Sequence, residues 1–292
     1  MPRSVRRLLK TTLALALIGL AQWSAFAAHA ETARPSLLLA VHPYLPREEL
    51  LSRFTPLADW LAESVGQPVS VRIGSSYDDH MHHVRFDKVD IAFLGPALYV
   101  GLGEQRYEKP PLAQLEIHGK PYFQGVIATQ RNSNIHNLED LKGRLMAFGD
   151  PKSTMSHLLP RLMMRHAGVT QERLAGHAFL GSHVNVALAV LAGDFDAGAM
   201  KEGVFDRFRG RGLREVARTE RTPEHLFVAR AGLPEALIEK LRTSFFALSE
   251  SERGRAILNN LKKGATALRP VTAQQYDHLA EQMAELAAAG IP

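Results

Sequence analysis

One local pattern, met twice, constrains this chain more than any other feature. Leu37 to Val41 is an unbroken apolar run and reads as a buried strand. His42-Pro43-Tyr44-Leu45-Pro46 breaks it. Glu48 to Val65 then carries Leu50, Leu51, Phe54, Leu57, Leu61 and Val65 at helical spacing. Val69 to Ile73 alternates as a strand, Gly74 to Asp78 turns into a short helix reaching His83, and Val89 to Leu94 is a third strand stopped by Gly95-Pro96. After Gly119 the pattern restarts. Strands are expected over 125–130, 145–148, 176–180 and 196–200, with a short helix from Asn137 and a longer one over 184–192. Two more strands, 213–218 and 225–230, and two helices, 235–248 and 273–289, finish the chain. Strands alternating with helices predict a parallel sheet of the doubly wound kind.

The second bout contains an unusual junction. The apolar run Leu145 to Phe148 leads into Gly149-Asp150-Pro151-Lys152-Ser153-Thr154-Met155-Ser156, and a helical run to His166 leads out. A strand that breaks into a helix leaves the first helical N–H groups unpaired, and the helix dipole adds positive potential there. That is an anion site. Ser153, Thr154 and Ser156 place three hydroxyls within four residues at the same spot. Ser153 alone would be read as an N-cap. Pro160 is expected about two turns into the helix, with some bending. A nucleotide P-loop is excluded, because the glycines it needs are Pro151 and Met146 here.

The chain opens with Arg3, Arg6, Arg7 and Lys10, an apolar run from Leu13 to Ala21, and Ala28-His29-Ala30. Basic, apolar and small-residue segments in that order read as a secretory signal peptide over residues 1–30, with cleavage after Ala30, or alternatively after Ala27. The apolar run is too short for a comfortable membrane span. The net charge of +5 falls to +1 when those four cations are set aside. Nucleic acid is therefore not an expected partner. With no cysteine, neither a lipid anchor on that residue nor a disulfide is available. A periplasmic location follows.

Three other groupings weigh less. Asp79, His80, His82 and His83 resemble a metal cluster, but further ligands cannot be named, and solvent-facing histidines are the simpler account. No metal and no cofactor are expected. Ser153, His183 and Asp196 make a hydrolase triad on paper, yet there is no Gly-x-Ser-x-Gly elbow, so the chain is not expected to be an enzyme. Arg207, Arg209, Arg211 and Arg214 follow Phe205 and Phe208 and read as a solvated basic face.

Several pieces then match a known pattern in order. They are Phe54 to Leu61, Val89-Asp90-Ile91-Ala92-Phe93-Leu94-Gly95-Pro96, Asp140-Leu141-Lys142-Gly143, Phe148 to Thr154, Gly181-Ser182-His183, Ala189 to Gly193 and Asp196-Ala197-Gly198-Ala199. Over residues 37 to 280 the chain resembles the phosphate/phosphite/phosphonate-binding proteins of ABC importers, periplasmic solute-binding proteins. The resemblance implies an α/β fold of the two-lobed periplasmic binding protein kind (type II), each lobe a sheet flanked by helices, joined by a hinge. Residues 31–121 and 219–292 would form one lobe and 122–218 the other, with crossovers near Gly119–Tyr122 and Arg218–Thr222. It implies that Ser153, Thr154, Ser156 and His183 contact an oxyanion, with Tyr77 closing over it and Tyr122 as a second aromatic near the hinge. Where relatives that take an aminophosphonate supply an acid for the amine, this chain reads Lys201-Glu202-Gly203. Glu202 would do that job one step displaced, or Lys201 would add charge for a second anionic group. The implied partners are a small oxyanion and an ABC permease at the inner membrane, or else a membrane sensor kinase, with the chain acting as a monomer. Ser156→Ala is expected to weaken binding and leave the unliganded stability unchanged.

Overall fold

The computed structural model describes residues 36–291, so the expected leader and its cleavage site lie outside the described residues. In chain order the elements that position the site are β1 (Leu37–Val41), α1 (Arg47–Val65), β2 (Val69–Ile73), α2 (Tyr77–Arg85), β3 (Ile91–Leu94), α3 (Pro96–Val100), β4 (Pro111–Ile117), β5 (Tyr122–Phe123), β6 (Gly125–Gln130) and β7 (Leu145–Phe148). They continue as α4 (Leu159–His166), β8 (Gly176–Phe179), α5 (His183–Ala192), β9 (Ala197–Lys201), α6 (Glu202–Arg209), β10 (Leu213–Arg218), β11 (Thr222–Pro223) and β12 (Leu226–Ala229). The last are α7 (Glu235–Ala247), α8 (Glu252–Leu261), β13 (Ala265–Arg269) and α9 (Asp277–Ala288).

Two sheets carry the fold, a six-stranded one ordered β13-β4-β12-β3-β1-β2 and a five-stranded one ordered β10-β6-β9-β7-β8. The apolar run of β1 is explained by burial on both faces. Leu37, Leu39 and Val41 point into a core shared with Phe54, Leu57 and Leu61 of α1. Ala40, facing the other way, joins Leu94, Tyr276, Leu279 and Leu286.

The sheets are mixed rather than parallel. β1 runs parallel to β2 and β3, and β7 parallel to β8 and β9. β12 is antiparallel to β3 and β4, and β6 is antiparallel to β9 and β10. A parallel neighbour needs a long crossover. β6 and β12 instead enter their sheets directly from the connection between sheets. That connection is a ribbon in which β5 pairs antiparallel with β11. Thr219 ties it down, accepting the Gly125 N–H at its Oγ1 (2.8 Å) and giving its own N–H to the Gly125 carbonyl (2.9 Å).

Seven elements were not expected: α3, β4, β5, α6, α8, β11 and β13. β4 opens on a proline and mixes polar with apolar residues, and α8 carries Gly254 and an Asn-Asn pair. Tertiary packing decides these elements, because Leu112, Leu115, Leu258 and Leu268 all join the core over α1. The helix after the hydroxyl-rich turn also packs across the two sheets. Met155, Leu158, Leu159 and Leu162 share a core with Ala97, Leu98, Tyr276 and Leu279.

Candidate functional site

The carboxyl ends of β1, β3, β7 and β9 meet at one place, where open α/β sheets bind ligands. β7 ends at Gly149. The chain then turns, and the helix begins with one π-helical turn, Thr154–Leu158, before continuing as α4. Such turns are frequent at functional sites. The carbonyl of Ser153 accepts from both His157 N (3.2 Å) and Leu158 N (3.0 Å). Counted from Thr154, Pro160 lies about two turns into the helix, just past the π-helical turn. It has no N–H for the Ser156 carbonyl four residues back, and that carbonyl takes the Gly149 N–H instead (3.3 Å).

The hydroxyls of this turn serve the fold. Ser153 is an N-cap, its Oγ accepting from Ser156 N at 3.1 Å. Thr154 Oγ1 accepts from Ala97 N of α3 at 3.2 Å, a bond between the two sheets' elements. Ser156 is 0% exposed. Its hydroxyl donates to the Ala199 carbonyl (2.7 Å) and accepts from Gly149 N (2.6 Å). The expectation that water alone meets this hydroxyl in an unliganded cleft is therefore corrected: its one proton is already given to a carbonyl of β9. Gly149 is needed for the approach, since a Cβ there would stand 2.3 Å from Ser156 Oγ.

What the turn leaves free is backbone. The N–H groups of Thr154 and Met155, first in the helix, find no acceptor among the described residues. A second helix start adjoins them. A Cβ on Gly149 would also lie 3.8 Å from His183 N, the first residue of α5. Ser182 caps that helix through Asn185 N (3.1 Å). His183 Nδ1 accepts the Lys201 N–H at 3.0 Å, which leaves the hydrogen on Nε2 and makes that atom a donor. Burial, with Lys201 adding, pushes the imidazole down to about 3. His183 is thus a neutral N–H donor at ordinary pH.

The remaining expected residues divide. Tyr77 opens α2 with its ring 5.3 Å from His42, half-buried, and burial and then Asp150 raise its phenol. Tyr122 lies in the ribbon under the Arg221 guanidinium (4.6 Å). Its neighbour Phe123 instead faces the cleft cluster, 5.7 Å from the His225 ring. Glu202 is paired with Arg218 (3.1 Å). The paper triad does not assemble, because Asp196 accepts from Leu145 N (2.8 Å) while Ser153 and His183 are engaged elsewhere. Asp79 is held by Arg72 (2.9 Å), and His80 turns inward with both ring nitrogens unpartnered, its imidazole pushed down to about 4 by burial and then by Arg72.

Sequence reasoning missed the opposite wall. His42, just past β1, is 3% exposed, and its Nδ1 donates to the Phe93 carbonyl (3.2 Å). It lies 5.8 Å from His80 and 6.0 Å from His225. His225 Nδ1 donates to Glu224 Oε2 (2.8 Å), and Lys262 Nζ reaches both oxygens of that carboxylate (2.8 and 2.9 Å). Burial opposes the charge on Glu224, but Lys262 and His225 overcome it and hold the carboxyl well below its usual range. Burial pushes both His42 and His225 down, so their rings are neutral. The signal for His42 was its place at the carboxyl end of a strand. No sequence signal joins Glu224 to Lys262.

Comparison with known proteins places the family and the fold. The chain is 28% identical over 227 residues to the phosphate-import protein PhnD of Mycolicibacterium smegmatis, covering 72% of this chain and 71% of that one. It is 22% identical over 244 residues to the phosphonates-binding periplasmic protein of Escherichia coli, covering 80% and 72%. Among solved structures, PhnD1 of Prochlorococcus marinus in complex with methylphosphonate superposes with a TM-score of 0.74 at 23% identity, over 86% of this chain and 98% of that one. The family model for the ABC transporter, phosphonate, periplasmic substrate-binding protein matches residues 39–276, and the chain belongs to that family.

Proposed function

We propose that the cleft between the two sheets captures a small phosphorus oxyanion, a phosphonate, phosphite or phosphate, in the periplasm and delivers it to an ABC importer. The observation that carries this is the convergence at Gly149 of two helix starts with the neutral His183 Nε2–H. Fixed N–H dipoles aimed at one point bind an anion without needing a counter-charge. The binding set is the N–H groups of Thr154 and Met155, the Thr154 hydroxyl, His183, and Tyr77 from the facing wall. Ser153 and Ser156 hold that set in shape. Residues 31–121 with 219–292 form one lobe and 122–218 the other, and the β5–β11 ribbon is the hinge between them. Import is favoured over reporting to a sensor kinase because the relatives carry import or binding names. The protein acts as a monomer after loss of its leader and turns nothing over.

The test uses the protein exported to and purified from a bacterial periplasm. Its mass reports cleavage. Thermal shifts are read with phosphate, phosphite, methylphosphonate, sulfate and arsenate. A ligand that binds only the folded state raises Tm by mass action, about 2.7 kcal/mol of stabilisation at a hundred times Kd. A shift with a phosphorus oxyanion, with the compound recovered unchanged, is the expected result. No shift with any phosphorus compound would overturn the reading.

A further inference from the structure

Lys201 ends β9 and points its side chain at the charged wall across the cleft. Its backbone is fixed twice, by pairing with Gly125 of β6 and by the bond to His183 Nδ1. Its ammonium has no carboxylate or carbonyl partner among the described residues, although it lies within electrostatic reach of Lys262, Glu224, His225 and His183.

Every neighbouring carboxylate is already taken. Glu224 receives Lys262 on both oxygens and His225 on one. Glu202 pairs with Arg218, Glu49 with Arg53, and Asp78 with Lys152. The imidazoles of His42, His183 and His225 are held neutral by burial. The cleft therefore holds two ammonium groups and one carboxylate, Lys262 and Glu224 on one wall and Lys201 facing them, and Lys201 is the charge left over. Burial, helped by Lys262, pushes its ammonium down to about 8, so it is still charged at neutral pH. Lys201 is half-buried, and a partly desolvated cation without a counter-ion is costly to hold. An anion entering the cleft would relieve that cost, and an ammonium would add to it.

Resting on the proposed function, we propose that Lys201 reads a second anionic group on the ligand. The cleft then prefers a phosphorus oxyanion that also bears a carboxylate over one that bears an amine or a plain methyl group. Glu202, turned away to Arg218, takes no part.

The test is calorimetric titration of the exported protein with methylphosphonate, phosphonoacetate and 2-aminoethylphosphonate. Phosphonoacetate should bind about ten- to hundred-fold tighter than methylphosphonate, the size of one hydrogen bond to a charged group. The amine should be weakest. In Lys201→Met the phosphonoacetate advantage should collapse, and Tm without ligand should rise because the lone charge is gone. In Lys201→Glu the order should invert, with 2-aminoethylphosphonate ahead of phosphonoacetate. Inversion is a readout that a merely structural lysine would not move. If methylphosphonate binds but phosphonoacetate is no tighter, or the ranking survives in both variants, the inference falls and the oxyanion reading stands. If none of the three compounds binds, and phosphate and phosphite do not either, both fall together.

Discussion

The two walls of the cleft are built on opposite plans. The wall from the five-stranded sheet is local and, apart from Lys201 at the end of β9, uncharged. Its parts come mainly from the turn between Gly149 and Ser156 and from the start of α5, and its hydroxyls bond inward or across to Ala97. The facing wall is assembled from residues far apart in sequence, His42, Glu224, His225 and Lys262, and is rich in buried ionisable groups. The contrast teaches that a hydroxyl-rich motif is not a count of ligand donors. Here the hydroxyls of Ser153 and Ser156 are spent on shaping a turn whose first backbone N–H groups are left without an acceptor among the described residues.

The largest effect should come from the charged wall. Glu224→Gln leaves the half-buried Lys262 beside a neutral partner, and breaking a pair whose carboxylate is buried costs up to about 3–5 kcal/mol. Urea unfolding measures it. A loss under about 1 kcal/mol would mean the pair is wetter than its 2.8 and 2.9 Å contacts imply, and the contrast between walls would weaken.

Next is the uncharged wall. Ser156→Ala strands the Ala199 carbonyl in a fully buried place and leaves the Gly149 N–H only its longer bond to the Ser156 carbonyl (3.3 Å). A stranded group costs about 1–3 kcal/mol, so unliganded stability should fall by about that much. Ligand affinity should follow only as far as the turn is distorted. This reverses the expectation drawn from the sequence. A variant with unchanged unliganded stability and lost affinity would restore Ser156 to the ligand.

Acid probes both walls together. Burial pushes His80 and His157 down to about 4 and His183 to about 3. A histidine whose folded value is lowered binds its proton first in the unfolded chain. Stability is therefore full above the ordinary value near 6.5 and falls as pH drops from there towards 4. Each such histidine contributes about 1.4 kcal/mol per pH unit in that window. Glu224, whose carboxyl is also lowered, adds loss in the same direction but only below its ordinary value. Denaturation midpoints at pH 7, 6 and 5 measure the slope. A flat profile would show the imidazoles to be solvated.

How much was legible follows from the same contrast. Period and turn chemistry located β1, β2, β7, α5 and the junction at Gly149, because those signals act over a few residues. The motif around His183 and Tyr77 singled them out, and the fold sets both at the edge of the proposed site. β4 and β13 were missed because neighbours in the sheet, not their own residues, make them strands. Glu224 and Lys262 were missed for a related reason. Nothing within either segment records that the β11–β12 connection brings the first within reach of the end of α8. Lys201 and Glu202 were both visible, but only placement shows that one faces the cleft and the other faces Arg218.

The smallest effect tests how the walls meet at the rim. Lys152 of the turn forms an ion pair with Asp78 of α2, with side chains 49% and 84% exposed. Exposed pairs contribute about 0–1 kcal/mol, and salt screens them. If closure brings these walls together, the pair favours the closed form by that amount. Asp78→Asn should then weaken ligand affinity by less than about five-fold. The difference should vanish in about 1 M salt, where the Debye length is about 3 Å. The buried bond from Ala97 N to Thr154 Oγ1 spans the same gap without net charge. Thr154→Val should therefore keep its penalty at high salt, while the rim pair loses its own. Equal salt dependence in the two variants would mean that both positions act through long-range charge and that the uncharged wall is not electrostatically separate from the charged one.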